Sequence, residues 1–375
     1  MQLELYRLDI PFTTAFRHHS AVRTATQSVW VKAQSGECVG MGEGCPREYV
    51  TGENIASVQT FFNTYCEALC QAVGSVDALV AWADDHTAVI DANPAGWCAI
   101  ELAMLEFFAK REGVTVEQLV ALVPTTGTFR YSAVVGDSKL DVFQATVARY
   151  CSMGFTDFKL KLSGDPAQDR AKVNTLRDLP DVEKLRVRVD ANNLWNDAES
   201  AVRHLNDLQF SFVGIEEPLS ANALDGMRMV AAQTGVPIIL DESLLRADQI
   251  PALAADPDCW IINIRVSKMG GLLRSLAVLR AAHTAGISII VGAQVGETSV
   301  LTRAGLVVAR AAAGGLFAQE GAFGTHLLQM DVAHPPLMFG PAGVLDADAY
   351  GLSGRVGWGL TLRPGQEFTT SLSRE

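Results

Sequence analysis

Eight strand-like segments follow one another in the second part of the chain, and this repetition constrains the fold most strongly. Short apolar runs alternate with helix-like runs, and several apolar runs are continuous, as expected of parallel strands buried on both faces. The predicted strands span residues 131–135, 157–162, 185–190, 212–216, 237–241, 260–266, 288–291 and 315–318. Eight such units over roughly 200 residues are typical of a TIM-type barrel. A doubly wound sheet is the main alternative, but the glycine-rich phosphate loop it usually carries after its first strand is missing.

The first 125 residues have a different organisation. Residues 3–5 and 29–33 are predicted strands, and the glycines at positions 36, 40, 42 and 44 indicate turns after them. Asn54 is a predicted helix N-cap, and a further helix is expected over about residues 95–111. We therefore predict an α+β domain over residues 1–125, a barrel over 126–337, and a tail over 338–375 that packs back on the first domain.

Composition narrows the class of protein. The 375-residue chain is 49% apolar and carries a net charge of −12, which favours a globular protein and argues against nucleic acid and anionic membranes as partners. The first residues lack a signal-peptide pattern, and no uncharged apolar run is long enough to span a membrane. A cytoplasmic protein is the expectation.

Ionisable residues recur at or just after the predicted strand ends, one in each unit. They are Lys161, Asp190, Glu216, Asp241, Lys268 and Glu297, spaced 25 to 29 residues apart. Each acid alone could be an ordinary helix N-cap. In a barrel, however, these strand ends meet on one face, where active sites lie. Three converging carboxylates without histidine or cysteine are hard oxygen ligands, which suit Mg²⁺ better than zinc.

Two lysines share one face of a predicted strand. In Phe158-Lys159-Leu160-Lys161-Leu162, the period of two directs Lys159 and Lys161 to the same side. Mutual repulsion and partial burial should lower the pKa of both amines towards the range of a base. An edge strand with solvated lysines is the alternative. Beside a metal-bound carboxylate, one lysine could remove the α-proton while the ion stabilises the enediolate.

The ordered motifs resemble the enolase superfamily, and more narrowly its muconate lactonizing subgroup. These motifs are Lys-x-Lys, Asp-Ala-Asn, Glu-Glu-Pro, Asp-Glu-Ser and Lys-x-Gly-Gly, which begin at Lys159, Asp190, Glu216, Asp241 and Lys268. The resemblance implies an α/β fold: a (β/α)₇β barrel of the TIM type, covered by an α+β capping domain from the N-terminal part and the C-terminal tail. It also implies a homo-oligomer that acts on a small-molecule carboxylate.

The resemblance assigns roles to individual residues. It implies one Mg²⁺ per subunit, held by Asp190, Glu216 and Asp241, with Lys161 and Lys268 as acid/base catalysts and Lys159 tuning Lys161. Asn192 and Glu242 would support the metal ligands. Substrate contacts are expected from residues of the capping-domain loops and of the last barrel strands: Arg17, His18, His19, Glu48, Glu297 and Glu320. The two-acid clamp of many dipeptide epimerases is absent, because only Glu320 stands in that stretch.

The implied activity is a racemase or epimerase that acts beside the carboxylate of a dipeptide or an N-acylamino acid. Lysines on both faces are what a 1,1-proton transfer needs. A cycloisomerase or a dehydrating synthase on the same scaffold is the alternative, since either needs one base, and the second lysine would then act electrostatically. A non-catalytic binding protein would be expected to lack part of the ligand or base set, and the motif set here is complete.

Overall fold

The structure is a computed structural model that describes residues 1–18, 21–363 and 371–372. Its N-terminal part begins with five strands: β1 (Gln2–Leu8), β2 (Pro11–His18), β3 (Ala21–Ala25), β4 (Ser28–Ser35) and β5 (Cys38–Gly44). Strands β1, β4 and β5 form an antiparallel sheet in that order, and β2 pairs with β3. The predicted strands at residues 3–5 and 29–33 are confirmed as parts of β1 and β4.

Six helices follow these strands. They are α1 (Glu48–Thr51), α2 (Ile55–Ala72), α3 (Val76–Asp85), α4 (Thr87–Asp91), α5 (Pro94–Glu112) and α6 (Val116–Leu119). Asn54 caps α2 as predicted, because its side chain accepts from the Ser57 amide while Ser57 Oγ accepts from the Asn54 amide. Helix α5 is buried along nearly its whole length, so it packs as a core helix rather than as a surface helix.

Three glycines that were assigned to turns lie within strand β5. A Cβ atom at Gly40, Gly42 or Gly44 would come within about 2 Å of a backbone carbonyl oxygen of α5. Alternate residues of a strand face the same side, so these glycines form a smooth strip against which the α5 backbone packs directly. The turn prediction was therefore wrong at these three positions, and the reason is helix–sheet contact.

The barrel contains eight parallel strands in sequential order. They are β7 (Ala133–Val135), β8 (Asp157–Lys161), β9 (Arg186–Asp190), β10 (Gly214–Glu216), β11 (Ile238–Leu240), β12 (Trp260–Ile264), β13 (Ser288–Val291) and β14 (Leu316–Gln319), with β6 (Thr128–Arg130) before them. Each lies within or overlaps a predicted segment. The Ser132 amide, just before β7, donates to the Gln319 carbonyl of β14 at 2.8 Å, which brings the first and last strands together.

Helices cover the outside of the barrel. They are α7 (Leu140–Ser152), α8 (Pro166–Arg177), α9 (Ala198–Asp207), α10 (Leu224–Thr234), α11 (Val266–Met269), α12 (Leu272–Ala285) and α13 (Ser299–Ala312). The single turn α11 lies directly after β12, and α12 follows it. Strand β11 is followed by the 3₁₀ segment Ala247–Ala252 instead of an α-helix. Among the described residues, no helix is both long and apolar enough to cross a membrane.

The C-terminal part contacts both other regions. Strand β15 (Val344–Asp346) pairs with β6 in an antiparallel register, close to the start of the barrel. Farther on, Trp358 Nε1 donates to the Leu102 carbonyl of α5 at 3.3 Å, and Ser371 bridges to Tyr6 of β1.

A buried carboxylate joins β5 to the start of α13. Glu43 accepts from the Thr298 amide at 3.0 Å and from Thr298 Oγ1 at 2.6 Å. Burial raises the pKa of Glu43 to about 7, although the hydrogen bonds from Thr298 act in the opposite direction. The folded protein therefore holds this proton more tightly than the unfolded chain does.

Placing a methyl group on the glycine strip should destabilise the fold. In Gly42→Ala the new Cβ would meet the Ala99 carbonyl oxygen at 2.1 Å, so α5 has to move away from β5. We expect a loss of about 3 kcal/mol in the free energy of unfolding, measured by urea denaturation. Gly74→Ala is the control, because no atom lies within 4 Å of its Cβ. Equal stability of the two variants would contradict the close packing.

The raised pKa of Glu43 makes its contribution to stability depend on pH. A carboxyl group whose pKa is raised on folding stabilises the folded state at low pH and loses this contribution as pH rises through the folded pKa. Substitution Glu43→Gln should therefore be better tolerated at pH 8.5 than at pH 5.5, by about 2 kcal/mol in the free energy of unfolding. A substitution effect that is the same at both pH values would show that Glu43 is ionised when buried.

Candidate active site

The carboxyl ends of the barrel strands bring most of the predicted charged residues together. Lys161 ends β8, Asp190 ends β9 and Glu216 ends β10, and the parallel register aligns Lys161 with Asp190 and Asp190 with Glu216. Asp241 follows directly after β11. All four side chains are buried. A buried charge must be paired to be tolerated, so the contacts among these groups define what the site can do.

The three carboxylates differ in how easily they ionise. Burial raises the pKa of Glu216, and the neighbouring Asp190, Glu320 and Asp241 add to this rise against the opposing effect of Lys159. Burial would also raise the pKa of Asp241, but Arg265 and Lys268 outweigh it and lower that pKa to about 2. Glu216 therefore holds its proton more tightly than Asp241 does when no further cation is bound.

Lys159 is surrounded by carboxylates. Its Nζ lies 2.7 Å from Glu320 Oε2, 3.1 Å from Glu216 Oε2 and 3.7 Å from Asp190 Oδ2. Burial alone would lower the pKa of Lys159, but these three carboxylates raise it well above its ordinary value. The expectation of a lowered pKa was therefore wrong for Lys159, since carboxylates rather than the neighbouring lysine dominate its surroundings.

Lys161 faces the open part of the site. Its Nζ donates to Asn192 Oδ1 at 2.6 Å and lies 3.2 Å from Asp190 Oδ2. Asn192 has a left-handed backbone with φ of 47°, a conformation that asparagine tolerates better than most residues, and this turn places its amide beside Lys161. Asn192 thus contacts a lysine as well as supporting Asp190, whose Oδ1 accepts from the Asn192 amide at 3.1 Å.

Lys268 does not face Lys161. It lies in α11, fully buried, and its ammonium group donates to Asp241 Oδ1 at 2.9 Å, to the Asp241 carbonyl at 2.6 Å and to the Asn263 carbonyl at 2.8 Å. An ammonium group has three donors, and all three are used here. Lys268 is not among the residues that line the cavity around Lys161. The structure therefore corrects its assignment as the second acid/base: Lys268 supports Asp241 from behind.

The side chain opposite Lys161 is Arg265, which sequence reasoning missed. It follows β12 directly, lines the same cavity as Lys161, and forms a close ion pair with Asp241. Its Nη2 lies 3.7 Å from Glu216 Oε1, and its Nη1 donates to Gln294 Oε1 at 3.1 Å. Its position in the sequence could have identified Arg265, because Arg265 is the first residue after the strand, whereas Lys268 comes almost one helical turn later.

Two further acids, Glu217 and Glu242, follow the proposed metal ligands in sequence, and sequence reasoning gave a role only to Glu242. Glu217, which received no role, accepts from the amides of Asp241 and Ser243 at 2.7 and 2.8 Å and so fixes the loop that carries Asp241. Glu242, expected beside the metal ligands, lines the cavity, and its pKa is raised to about 8 by burial and by the charge of Asp241.

The predicted substrate contacts are divided among several places. Glu320 lies in the cavity, but it pairs with Lys159 and with Arg188, whose Nη1 is 2.8 Å from Glu320 Oε1. Glu297 lies outside the cavity lining, and its Oε1 accepts from the Gln294 amide at 2.6 Å. Burial raises the pKa of Glu297 to about 8.

Glu48 and the residues of the first loop are not placed in the cluster. Glu48 is exposed, accepts from Asn54 Nδ2 at 2.8 Å and lines a separate cavity. Arg17 and His18 belong to β2, where only their backbone is described, and His19 lies outside the described residues.

The space around Lys161 continues into a much larger cavity. A narrow cavity of about 50 Å³ is lined by Lys161, Arg265, Asp190 and Glu320, among others, and a second one of about 800 Å³ adjoins it. The two share four apolar residues: Phe16, Val134, Val295 and Phe323. The lining of the larger cavity is mixed: apolar residues such as Val135, Tyr150 and Phe339 lie beside polar and charged ones, which include Lys139 and Arg149. The site therefore combines a small charged inner end with a larger chamber of mixed lining.

The donor set fits a hard divalent cation. In the part of the chain that the structure describes, no three histidine, cysteine or acidic side chains stand in ligating geometry, because the acids are drawn to Lys159, Lys161, Arg265 and Lys268. Even so, carboxylate oxygens from three consecutive strand ends are the ligands that Mg²⁺ prefers. Burial is the main cause of the raised pKa of Glu216, and the charges of Asp190, Glu320 and Asp241 add to it; a bound cation would offset these charges.

An eight-stranded parallel barrel with a carboxylate cluster and a facing lysine defines a class of α/β-barrel enzymes. A family model described as "Enolase C-terminal domain-like" matches residues 142–365, well over half of the chain. The chain therefore belongs to this family, within the mandelate racemase and muconate lactonizing group of the enolase superfamily.

Individual relatives are similar over most of their length. The L-Ala-D/L-Glu epimerase of Bacillus subtilis (strain 168) is 24% identical over 303 residues, which are 79% of this chain and 81% of the epimerase. The dipeptide epimerase of Enterococcus faecalis V583, solved with Mg and L-Leu-L-Tyr, has a TM-score of 0.80 at 22% identity, over 96% of this chain and 99% of that one. The 2-chloromuconate cycloisomerase of Rhodococcus opacus 1CP reaches 0.85 at 20% identity, over 100% and 99%. The two structural comparisons concern the fold.

Removing the Lys268 ammonium should damage the fold as well as the site. Lys268→Met leaves Asp241 and the Asn263 carbonyl without their buried donor, so we expect a loss of about 3–5 kcal/mol in the free energy of unfolding by urea denaturation. Lys184→Met is the control, since the Lys184 side chain is 64% exposed and pairs only at the surface. If Lys268→Met is as stable as the wild type, the contacts of Lys268 do not stabilise the fold, and a role in catalysis alone would account for this residue.

Proposed function

We propose that this protein removes the proton next to the carboxylate of a small-molecule acid, with Lys161 as the base. The observation that carries the proposal is the placement of Lys161 in the cavity, 3.2 Å from Asp190 and at the same ends of the barrel strands as Glu216 and Asp241. Lysine is the amine whose proton affinity proteins tune for such work, and Asn192 fixes its direction by accepting one of its protons.

We propose that Asp190, Glu216 and Asp241 bind one Mg²⁺. When bound, this ion would hold the substrate carboxylate and stabilise the negative charge that proton removal creates. The chain's own side chains supply the remaining functions. Lys159, paired with Glu216 and Glu320, contributes a permanent positive charge beneath the site, while Glu217 holds the loop that presents Asp241.

The cavity supports a substrate with a large substituent beside its carboxylate. The carboxylate would lie at the charged inner end, and the remainder of the molecule would extend past Phe16 and Phe323 into the chamber of about 800 Å³, which offers apolar walls together with polar and charged groups. A dipeptide with an apolar residue, or an N-acylamino acid, has this distribution of charge and apolar surface. The similarity to dipeptide epimerases supports the same class.

Two isomerisations fit this chemistry, and different observations favour each. Epimerisation is the reaction named for the relative from Bacillus subtilis and for the structure from Enterococcus faecalis. It needs a proton donor on the second face of the α-carbon. Cycloisomerisation needs one base only, and it is favoured because Arg265 rather than a lysine faces Lys161.

The test is exchange of the α-proton with solvent. Purified protein with Mg²⁺ in D₂O would be incubated with dipeptides, N-acetyl- and N-succinylamino acids of both configurations, and muconolactone, and followed by ¹H NMR. We expect deuterium at the α-carbon of at least one compound, and a decrease of about 10³-fold in Lys161→Met. Lys184→Met, far out on the surface, is the matched control for loss of a lysine. Absence of exchange from every compound, with Mg²⁺ binding intact, would contradict the proposal.

A further inference from the structure

We propose that Arg265 is the functional residue on the second face of the site and that it acts there as a cation of fixed charge. The proton next to the carboxylate is then removed and returned on the Lys161 side alone. This inference rests on the proposed function and deepens it, because it distinguishes an isomerisation that uses one face from one that uses both.

The barrel topology places the two residues opposite each other. The sheet order runs from β7 to β14 without a crossover, so β8, which carries Lys161, and β12, which precedes Arg265, are four strands apart among eight. Strands four apart in an eight-stranded barrel lie across its axis. The metal-binding acids come from β9, β10 and the end of β11, between the two cations. A carboxylate substrate held by these acids would have Lys161 on one side and Arg265 on the other.

The guanidinium group is held in place and still has a donor to offer. Its Nη2 pairs with Asp241, and its Nη1 donates to Gln294 Oε1 at 3.1 Å. Its Nε is buried and has no hydrogen-bond partner among the described residues. A buried donor without a partner is costly, and an oxygen of a bound substrate would satisfy it. Arg265 is therefore built to bind an anionic group in this cavity.

Among the residues that the structure describes, no second amine lines the cavity on that face. Lys268, the nearest lysine in sequence, uses all three of its protons on Asp241 and on the Asn263 carbonyl and lies outside the cavity lining. To reach the cavity it would have to abandon these contacts and leave Asp241 without one of its two cations. The second lysine that lines the cavity, Lys159, belongs to the same strand face as Lys161.

Lys161 and Arg265 differ in whether they can accept a proton, and this difference gives them different roles. A neutral lysine amine can accept a proton, whereas a guanidinium group remains protonated in proteins. In the step at Lys161, the Cα–H bond breaks, its electron pair stays on the substrate and spreads into the carboxylate, and the proton moves to Nζ. The reverse step returns a proton to the same side. The configuration at this carbon is kept, so the step exchanges the proton with solvent without interconverting the two configurations.

The decisive experiment exchanges the two side chains. Wild type, Arg265→Lys, Lys161→Arg and the double variant with both changes would be loaded with Mg²⁺ and given each enantiomer of the N-acylamino acids and dipeptides separately in D₂O. We expect wild type to exchange one enantiomer only, without forming the other. Arg265→Lys should exchange both enantiomers and interconvert them, at a rate about tenfold or more above the background measured with wild type. The double variant should exchange the opposite enantiomer.

A measurement on Mg²⁺ alone tests the placement of Arg265 without any substrate. Arg265 competes with a cation for Asp241, so Arg265→Gln should bind Mg²⁺ about fivefold more tightly or better by isothermal titration calorimetry. Arg265→Lys, which keeps the charge, should stay within about threefold of wild type. An unchanged Mg²⁺ affinity in Arg265→Gln would overturn the placement of the guanidinium at the acids.

The remaining outcomes separate this inference from the proposed function. If wild type interconverts the two enantiomers, the proposed function stands and the role of Arg265 is wrong. If wild type exchanges no α-proton in any compound while binding Mg²⁺, the proposed function fails and this inference fails with it.

Discussion

The charged cluster at the barrel mouth is the interaction on which the rest of the site depends. Four buried acids, namely Asp190, Glu216, Asp241 and Glu320, meet four cations, namely Lys159, Lys161, Arg265 and Lys268. Taking such charges out of water is expensive, and the loss of one partner leaves another uncompensated. The strands must therefore keep the register that aligns Lys161, Asp190 and Glu216. Because these acids need positively charged partners, the cluster can also bind a divalent cation, which can replace ammonium and guanidinium groups beside the acids.

The N-terminal part covers this mouth because its sheet is packed against one deeply buried helix. The glycines of β5 let the α5 backbone lie directly on the sheet, and the residues that follow reach the barrel. The Cys45 amide donates to Ser267 Oγ of α11 at 2.8 Å, and Glu43 caps α13 through Thr298. The strand that packs on α5 and the residue that follows it are thus hydrogen-bonded to α11 and to the start of α13, the two barrel segments that precede and follow Gln294 in the chain. This residue in turn accepts from Arg265, so the cover and the reactive face share one set of contacts.

The sequence allowed the architecture and the acids to be predicted, and it failed where local geometry decides. Apolar runs locate parallel strands, and an acid at a strand end needs no further information to be placed on the active face. Arg265 and Lys268 differ by three residues, within the usual error of a predicted strand boundary. The structure shows that β12 ends at Ile264 and that α11 begins at once, so Lys268 is carried behind Asp241. The β5 glycines were misread for a related reason, since a contact with a distant helix leaves no local signal.

The difference between arginine and lysine at position 265 changes chemistry without changing the fold. Both side chains pair with acids and are long enough to reach the cluster, so the cost of burying either one is met by the same partners. They differ in one respect: a lysine can lose its proton and with it its charge, whereas an arginine remains protonated. A site with an exchangeable proton on both faces treats the two configurations of a carbon alike, whereas a site with a fixed charge on one face does not. Under the proposed mechanism, a single residue would decide between two-sided and one-sided proton transfer, and the Nε of Arg265, which has no partner among the described residues, would add a substrate contact on its face.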